Sequence, residues 1–343
     1  MTNSKTIRWG IIGLGDIAER NFTPALAKAA DCELVSVYSR SAAKGKEFIA
    51  KYQVPRAYDS LDKMLADPEL DAVYIASPNS IHAEQSVAAS RAGKHVLCDK
   101  PMALTVADGE RMIRAAEDNK VRLDVAFRLR YHPAHAEAHR HVLSGVLGEI
   151  QLIKAQNFVG GARPYWANAG WRNDPAVAGS GSIVAQAVHP VDLLRYLTGS
   201  EIVEVRCITD EDPPARPSSE CTISLFKFAN GALAQVASGA VVPRSDNDAV
   251  FYGSKGKITC LGTLGRNEAG RVQEVVVDSG APQLRVPFPD DTPITRTTRL
   301  IEAFNQSIID GTPTVMSAQN GLQMIRIASA MHESSLHGKA VKL

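Results

Sequence analysis

At 343 residues the chain is longer than one ordinary domain, so two domains are expected. Its 45% hydrophobic and 22% charged residues suit a globular protein, and a formal charge of +1 gives no electrostatic reason to bind nucleic acid or a membrane surface. No apolar run reaches the roughly 18–20 residues of a spanning helix, and five scattered cysteines (Cys32, Cys98, Cys207, Cys221, Cys260) without CxxC spacing point away from disulfides and zinc and toward a reducing cytoplasm.

The N-terminal "MTNSKTIRWGIIGLG" lacks signal-peptide anatomy, and its apolar run reads as a buried strand ending in glycines. "DIAERNFTPALAKAA" has the three-and-four spacing of a helix. Gly13, Gly15 and Ala18 form G-x-G-x-x-A in the turn between them. Gly13 permits the tight turn, and Gly15 lets backbone approach a pyrophosphate. Ala18 allows close helix–strand packing, and the helix start at Asp16 and Ile17 offers N–H donors. Strand before, helix after and the next strand at the right distance together predict dinucleotide binding; a glycine turn without a ligand is the plainer alternative.

"CELVSVYSR" is a second strand. An NAD site usually places a carboxylate at its end for the ribose 2′-OH; here Ser39, Arg40 and, one turn on, Lys44 stand instead. A hydroxyl and a guanidinium suit a 2′-phosphate, which favours NADP(H) over NAD(H); a solvated loop arginine is the alternative. "LDAVYIASPN" is a third strand, "IHAEQSVAASRAGK" a helix ending at Gly93, and "KHVLCDKP" a fourth strand. "TVADGERMIRAAEDNK" is a helix opened by a Thr105/Asp108 capping pattern, and "VRLDVAF" a fifth strand. This alternation predicts a doubly wound α/β sheet over residues 1–125.

The pattern then changes. "YHPAHAEAHRHVLSG" and "SGSIVAQAVHPVDLLRYLTG" read as helices, and "GEIQLIKAQNFV" alternates like a half-buried strand. Six short strands follow, from "EIVEVRCI" to "RVQEVVV", with "DEDPPARPSS" as a loop, and two amphipathic helices close the chain. Residues 126–343 are therefore expected to form an α+β domain with a mostly antiparallel open sheet, the last helices packing back on the first domain. Arg128, Arg130, Arg163, Tyr165, Trp166, Trp171 and Arg172 cluster cations with aromatics, which suits a sugar face or a nicotinamide; surface arginines and core aromatics are the alternative. His135 and His139 are spaced i, i+4, but no third ligand is apparent and no metal is expected.

"GIIGLGDIA", "ASPNSIH", "CDKP", "WRNDP" and "GSGSIVAQAVHPVDLLRYLTG", with "FYGSKGKI" and the closing "SSLHGKAVKL", resemble the Gfo/Idh/MocA family of glucose–fructose oxidoreductases and inositol dehydrogenases over nearly the whole chain. The resemblance implies NAD(P)-dependent hydride transfer at a sugar, polyol or related carbonyl. It also implies a homo-oligomer, dimer or tetramer, formed through the C-terminal sheet. Ser77, Pro78, Asn79 and His82 would line the cofactor, as would Trp171 and Arg172. Asp99, Lys100 and Pro101 match the family's Glu-Lys-Pro, with Lys100 beside the reacting carbinol. Family dehydrogenases carry Asp four residues before the histidine matched by His189; here that position is Ala185.

Hydride transfer needs a group to move the hydroxyl proton. Lys100 and His189 are the two candidates, with Gln186 and Asp192 as orienting neighbours or substrate contacts. The missing carboxylate at Ala185 keeps open the reading of a catalytically impaired NAD(P)-binding regulator or sensor, and a cofactor-assisted glycoside-modifying enzyme on the same scaffold is a further alternative.

Overall fold

The computed structural model describes residues 6–160, 170–210, 220–243, 245–265, 270–277, 286–287 and 290–343. The chain divides into two compact units, Met1–Arg128 with Pro293–Ile325, and Leu129–Thr292 with Arg326–Leu343.

The first unit is a six-stranded parallel sheet in the order β3-β2-β1-β4-β5-β6. Its strands are β1 (Ile7–Ile12), β2 (Cys32–Tyr38), β3 (Arg56–Tyr58), β4 (Ala72–Ile75), β5 (His95–Cys98) and β6 (Leu123–Val125). The crossover helices are α1 (Thr23–Leu26), reached through a π-wound turn at Ala18–Phe22, then α2 (Ala42–Tyr52), α3 (Leu61–Leu65), α4 (His82–Arg91) and α5 (Val106–Asp118). Strands β1, β4 and β5 are apolar along nearly their whole length, Arg8 and His95 being their half-buried polar residues, because helices cover both faces of a parallel sheet. Five strands are expected from the sequence, and the structure adds β3 and α3. At three and five residues, these are too short for hydrophobic periodicity to reveal. The order reverses between β1 and β4, the switch point where open α/β sheets bind ligands.

Trp9 is fully buried, with Phe22 edge-on at 5.5 Å and Phe304 at 5.4 Å, and its indole N–H donates to Asn305 Oδ1 at 3.0 Å. Phe304 and Asn305 belong to α9 (Pro293–Asp310), so this late helix completes the core of the first unit. Two caps read from the sequence are present. Thr105 Oγ1 accepts from Asp108 N at 3.1 Å, and Gly93 ends α4 at φ +73°.

The second unit holds a nine-stranded sheet in the order β14-β13-β12-β11-β7-β10-β9-β8-β15. Its strands are β7 (Ile150–Phe158), β8 (Ile202–Thr209), β9 (Cys221–Phe228), β10 (Leu233–Gly239), β11 (Ala249–Gly253), β12 (Gly256–Leu261), β13 (Arg271–Val277), β14 (Val286–Pro287) and β15 (Val341–Lys342). All pairings are antiparallel except β7 with β10. One face buries Ile153, Val205, Phe226, Val236, Phe251 and Ile258. Helices α6 (Pro133–Leu143) and α8 (Val188–Thr198) pack on the sheet, while α7 (Pro175–Ala178) follows the 170–173 turn. The opposite face exposes Ile208, Ile223, Leu225 and Leu233 on adjacent strands. Helix α10 (Ala318–His337) is shared, through Ile325 with the first unit and from Arg326 with the second. Among the described residues, no helix is long and apolar enough to cross a membrane.

Candidate active site

The first unit gathers its candidate residues at the carboxyl ends of β1, β2, β4 and β5. Gly13 stands at φ +92°, and a Cβ there would come within 2.7 Å of Ser77 N, so only glycine fits the turn. Gly15 differs. A Cβ on it would meet nothing nearer than Ala76 O at 4.0 Å, so open space lies over the start of the helix. That space, followed by helical backbone, is what a pyrophosphate needs. Asp16 is exposed and pairs with Arg20 at 3.0 Å, Ile17 is half-buried, and Ala18 is fully buried.

Beyond β2, Ser39 N donates to Tyr58 O at 3.1 Å, and Ser39 Oγ accepts from Ser41 N at 3.2 Å. Ser41 caps α2 by accepting from Lys44 N at 3.3 Å, a role the sequence reading gave to no residue. The Arg40 and Lys44 side chains are exposed, and no carboxylate occurs between Tyr38 and Lys46. These residues fit a dinucleotide at the glycine turn.

At the ends of β4 and β5, Asp99 N donates to Ile75 O at 2.9 Å, extending the ladder by one bond. Asp99 and Lys100 are half-buried, and the Lys100–Pro101 peptide is cis. Ser77 is buried and its hydroxyl donates to Gln85 Oε1 at 2.6 Å, while Pro78 and Asn79 are half-buried. His82 is buried, with both ring nitrogens against backbone carbonyls. Below them Tyr74 stacks on Phe22, with centroids 3.7 Å apart. Burial pushes the Tyr74 phenol well above its usual range; the Asp99 carboxylate, to which it hydrogen-bonds, adds to this, and Arg128 opposes it. Tyr74 and Gln85 were not singled out from the sequence. A tyrosine inside the apolar run "AVYI" was the available signal.

In the second unit, Trp171 and Arg172 are half-buried in the 170–173 turn, with the guanidinium 4.6 Å from the Trp171 ring centroid. Arg163, Tyr165 and Trp166 lie outside the described residues. Through Gly181–Arg195, Ala185 and His189 are the two half-buried positions and every other residue is buried. The missing carboxylate thus falls on the same open side as His189, across a π-wound stretch at Ile183–Ala187. Gln186 is buried.

Arg130 and Asp192 face each other. Nε and Nη2 donate to the two carboxylate oxygens at 2.9 and 2.6 Å, in a pair 5% and 1% exposed. The guanidinium also lies 5.1 Å from the Tyr196 ring, whose other neighbour is a stacked His139. Both side chains are thereby committed to fixing α8 against the 128–131 turn. His135 Nδ1 sits 2.6 Å from Leu129 O, so it and His139 face different partners.

The model of the oxidoreductase family with NAD-binding Rossmann fold matches residues 7–127, and that of the GFO/IDH/MocA C-terminal domain matches residues 135–259. The chain is 29% identical over 329 residues to the 1,5-anhydro-D-fructose reductase of Ensifer adhaerens, covering 94% of this chain and 96% of that one. It is 28% identical over 342 residues to D-xylose 1-dehydrogenase (NADP(+)) 2 of Haloferax volcanii, covering 98% and 99%. The aldose-aldose oxidoreductase of Caulobacter crescentus, solved with glycerol, superposes with a TM-score of 0.88 at 27% identity over 99% of this chain and 100% of that one. The glycine turn, the Asp-Lys-Pro strand end and both matched domains make the chain a member of the Gfo/Idh/MocA family, an NAD(P)-dependent oxidoreductase acting on CH–OH groups.

Proposed function

We propose that the protein transfers a hydride between NADP(H) and a carbinol or carbonyl carbon of a sugar or polyol, with Lys100 and His189 handling the proton. The observation that carries this reading is Lys100, half-buried at the carboxyl end of β5, in the sheet whose β1 and β4 ends hold the glycine turn and Ser77. The nicotinamide, when bound, supplies the hydride chemistry. Gly13, Gly15, Asp16 and Ile17 form the turn that would hold the pyrophosphate. Pro78, Asn79, Asp99, Trp171 and Arg172 are the further cofactor contacts we assign. Ser77 would contribute through its backbone, because its hydroxyl already donates to Gln85.

Lys100 hydrogen-bonds the substrate hydroxyl and takes or returns its proton, and His189 is the second acid/base group. Arg128 remains a candidate substrate contact. Arg130, Asp192 and Gln186 are assigned supporting roles instead, because all three are buried.

NADP(H) preference rests on exposed Arg40 and Lys44 beyond β2, with no carboxylate to repel a 2′-phosphate. The relative from Haloferax volcanii, named as NADP(+)-dependent, is consistent with this. The exposed apolar row Ile208, Ile223, Leu225 and Leu233 supports assembly of a homo-oligomer through the outer sheet face. The test is a screen of NADPH oxidation and NADP+ reduction over sugars, polyols and keto-sugars, alongside calorimetric titration of both cofactors. Turnover with at least one sugar or polyol and tighter binding of NADP+ are expected. No turnover anywhere in the panel would overturn the activity, and tighter NAD+ binding would overturn the preference.

A further inference from the structure

We infer that His82 is a positioning residue that ties the loop after β4 to the loop after β5 and so holds the backbone on which Lys100 stands. The inference rests on the proton-handling role proposed for Lys100. The β4–β5 ladder ends at Ile75 and Cys98, with one more bond from Asp99 N to Ile75 O. Beyond that bond one chain carries Ser77, Pro78 and Asn79, and the other carries Lys100 and Pro101. The His82 ring bridges them, with Nδ1 2.8 Å from Pro101 O and Nε2 2.9 Å from Ser77 O. The residue is 1% exposed, at the start of α4.

Carbonyl oxygens only accept hydrogen bonds. A neutral imidazole donates to one of them and turns a lone pair toward the other; a doubly protonated ring donates to both. The neutral ring therefore holds one of two backbone oxygens and the doubly protonated ring holds both, one immediately after the proposed lysine and the other in the proposed cofactor loop. Gln85, one turn further along α4, accepts from the Ser77 hydroxyl at 2.6 Å, so this helix end also holds the Ser77 side chain. A purely structural histidine would change stability alone. A positioning histidine separates its effect on turnover from its effect on cofactor binding, because its two nitrogens serve different loops.

Two substitutions divide the ring's functions in the full-length protein. An asparagine amide reaches about as far as Nδ1, and a glutamine amide about as far as Nε2. His82→Asn should retain the Pro101 contact, keeping kcat near wild type while weakening NADP+ binding about tenfold; His82→Gln should do the reverse, with kcat down about tenfold and cofactor affinity kept. The Kd is read by calorimetry and kcat with saturating NADP(H) and a panel substrate. Parallel changes in both variants, or no change in either, would overturn the inference. Lys100→Ala is run beside them: lost turnover there with parallel His82 effects would sink the positioning role but leave the lysine assignment standing. Should neither variant fold, 15N spectra of the histidine-labelled wild-type protein serve instead. Ring N–H signals of His82 that resist solvent exchange and move on adding NADP+ are expected, and signals that NADP+ leaves unmoved would refute the link between the loops.

Discussion

Asp192→Ala removes both acceptors of the two short Arg130 bonds, in a pair whose side chains are 4% and 2% exposed. The guanidinium then stays buried beside the Tyr196 ring without the carboxylate that balanced it. Breaking a buried ion pair by deleting one partner costs about 3–5 kcal/mol. For a unit of this size each kcal/mol moves Tm by roughly 2–4 °C, so a fall of about 6–20 °C in the transition of the second unit is expected in calorimetry. Arg130→Met combined with Asp192→Leu removes both charges and should recover most of that loss, since apolar replacement of a buried pair is often neutral. An Asp192→Ala protein with unchanged Tm but a raised KM would refute the reasoning and return Asp192 to the substrate.

Three further outcomes follow from the same geometry. Asp124 is almost fully buried, accepts from the Thr314 hydroxyl, and burial pushes its carboxyl up from 3.8 to about 6, against Thr314 and Arg122. With the folded value raised, stability is full below the unfolded value and is lost as pH rises through about 6. The loss approaches about 3 kcal/mol, so Asp124→Asn should raise Tm at pH 8 and leave it nearly unchanged at pH 4; equal shifts at both would contradict this. Ala185→Asp places a carboxylate on the half-buried side shared with His189 and should shift the kcat/KM–pH profile; an identical profile would mean that position 185 does not face the substrate. Leu225→Lys, centred among the exposed sheet residues, should lower the mass measured by light scattering to that of a smaller species, and an unchanged mass would remove this face from assembly.

The glycine turn was legible because its demand is local. Gly13 must take positive φ against Ser77, and the strand and helix around it announce themselves by periodicity. The outer sheet was legible for a similar reason, since β9 alternates buried and exposed residues along its whole length. Segments β3 and α3 were hidden by brevity. The Arg130–Asp192 pair was hidden because its members are 62 residues apart and each looks like a site residue in isolation. His82 was found next to the right loop, but only the fold shows its ring directed at Pro101 and Ser77. Tyr74 was overlooked because one polar atom in a buried strand leaves the apolar pattern intact, although the Asp99 beside it ties that atom to the Asp-Lys-Pro turn.

The most direct test of the account is Lys100→Ala, assayed for kcat with saturating NADP(H) and a turned-over sugar or polyol and, separately, for NADP+ affinity. Loss of a proton-transfer group predicts a fall in kcat on the order of 10²–10⁴-fold, with cofactor Kd kept within about threefold. A variant that turns over at nearly the wild-type rate would contradict the assignment of Lys100 to the chemistry.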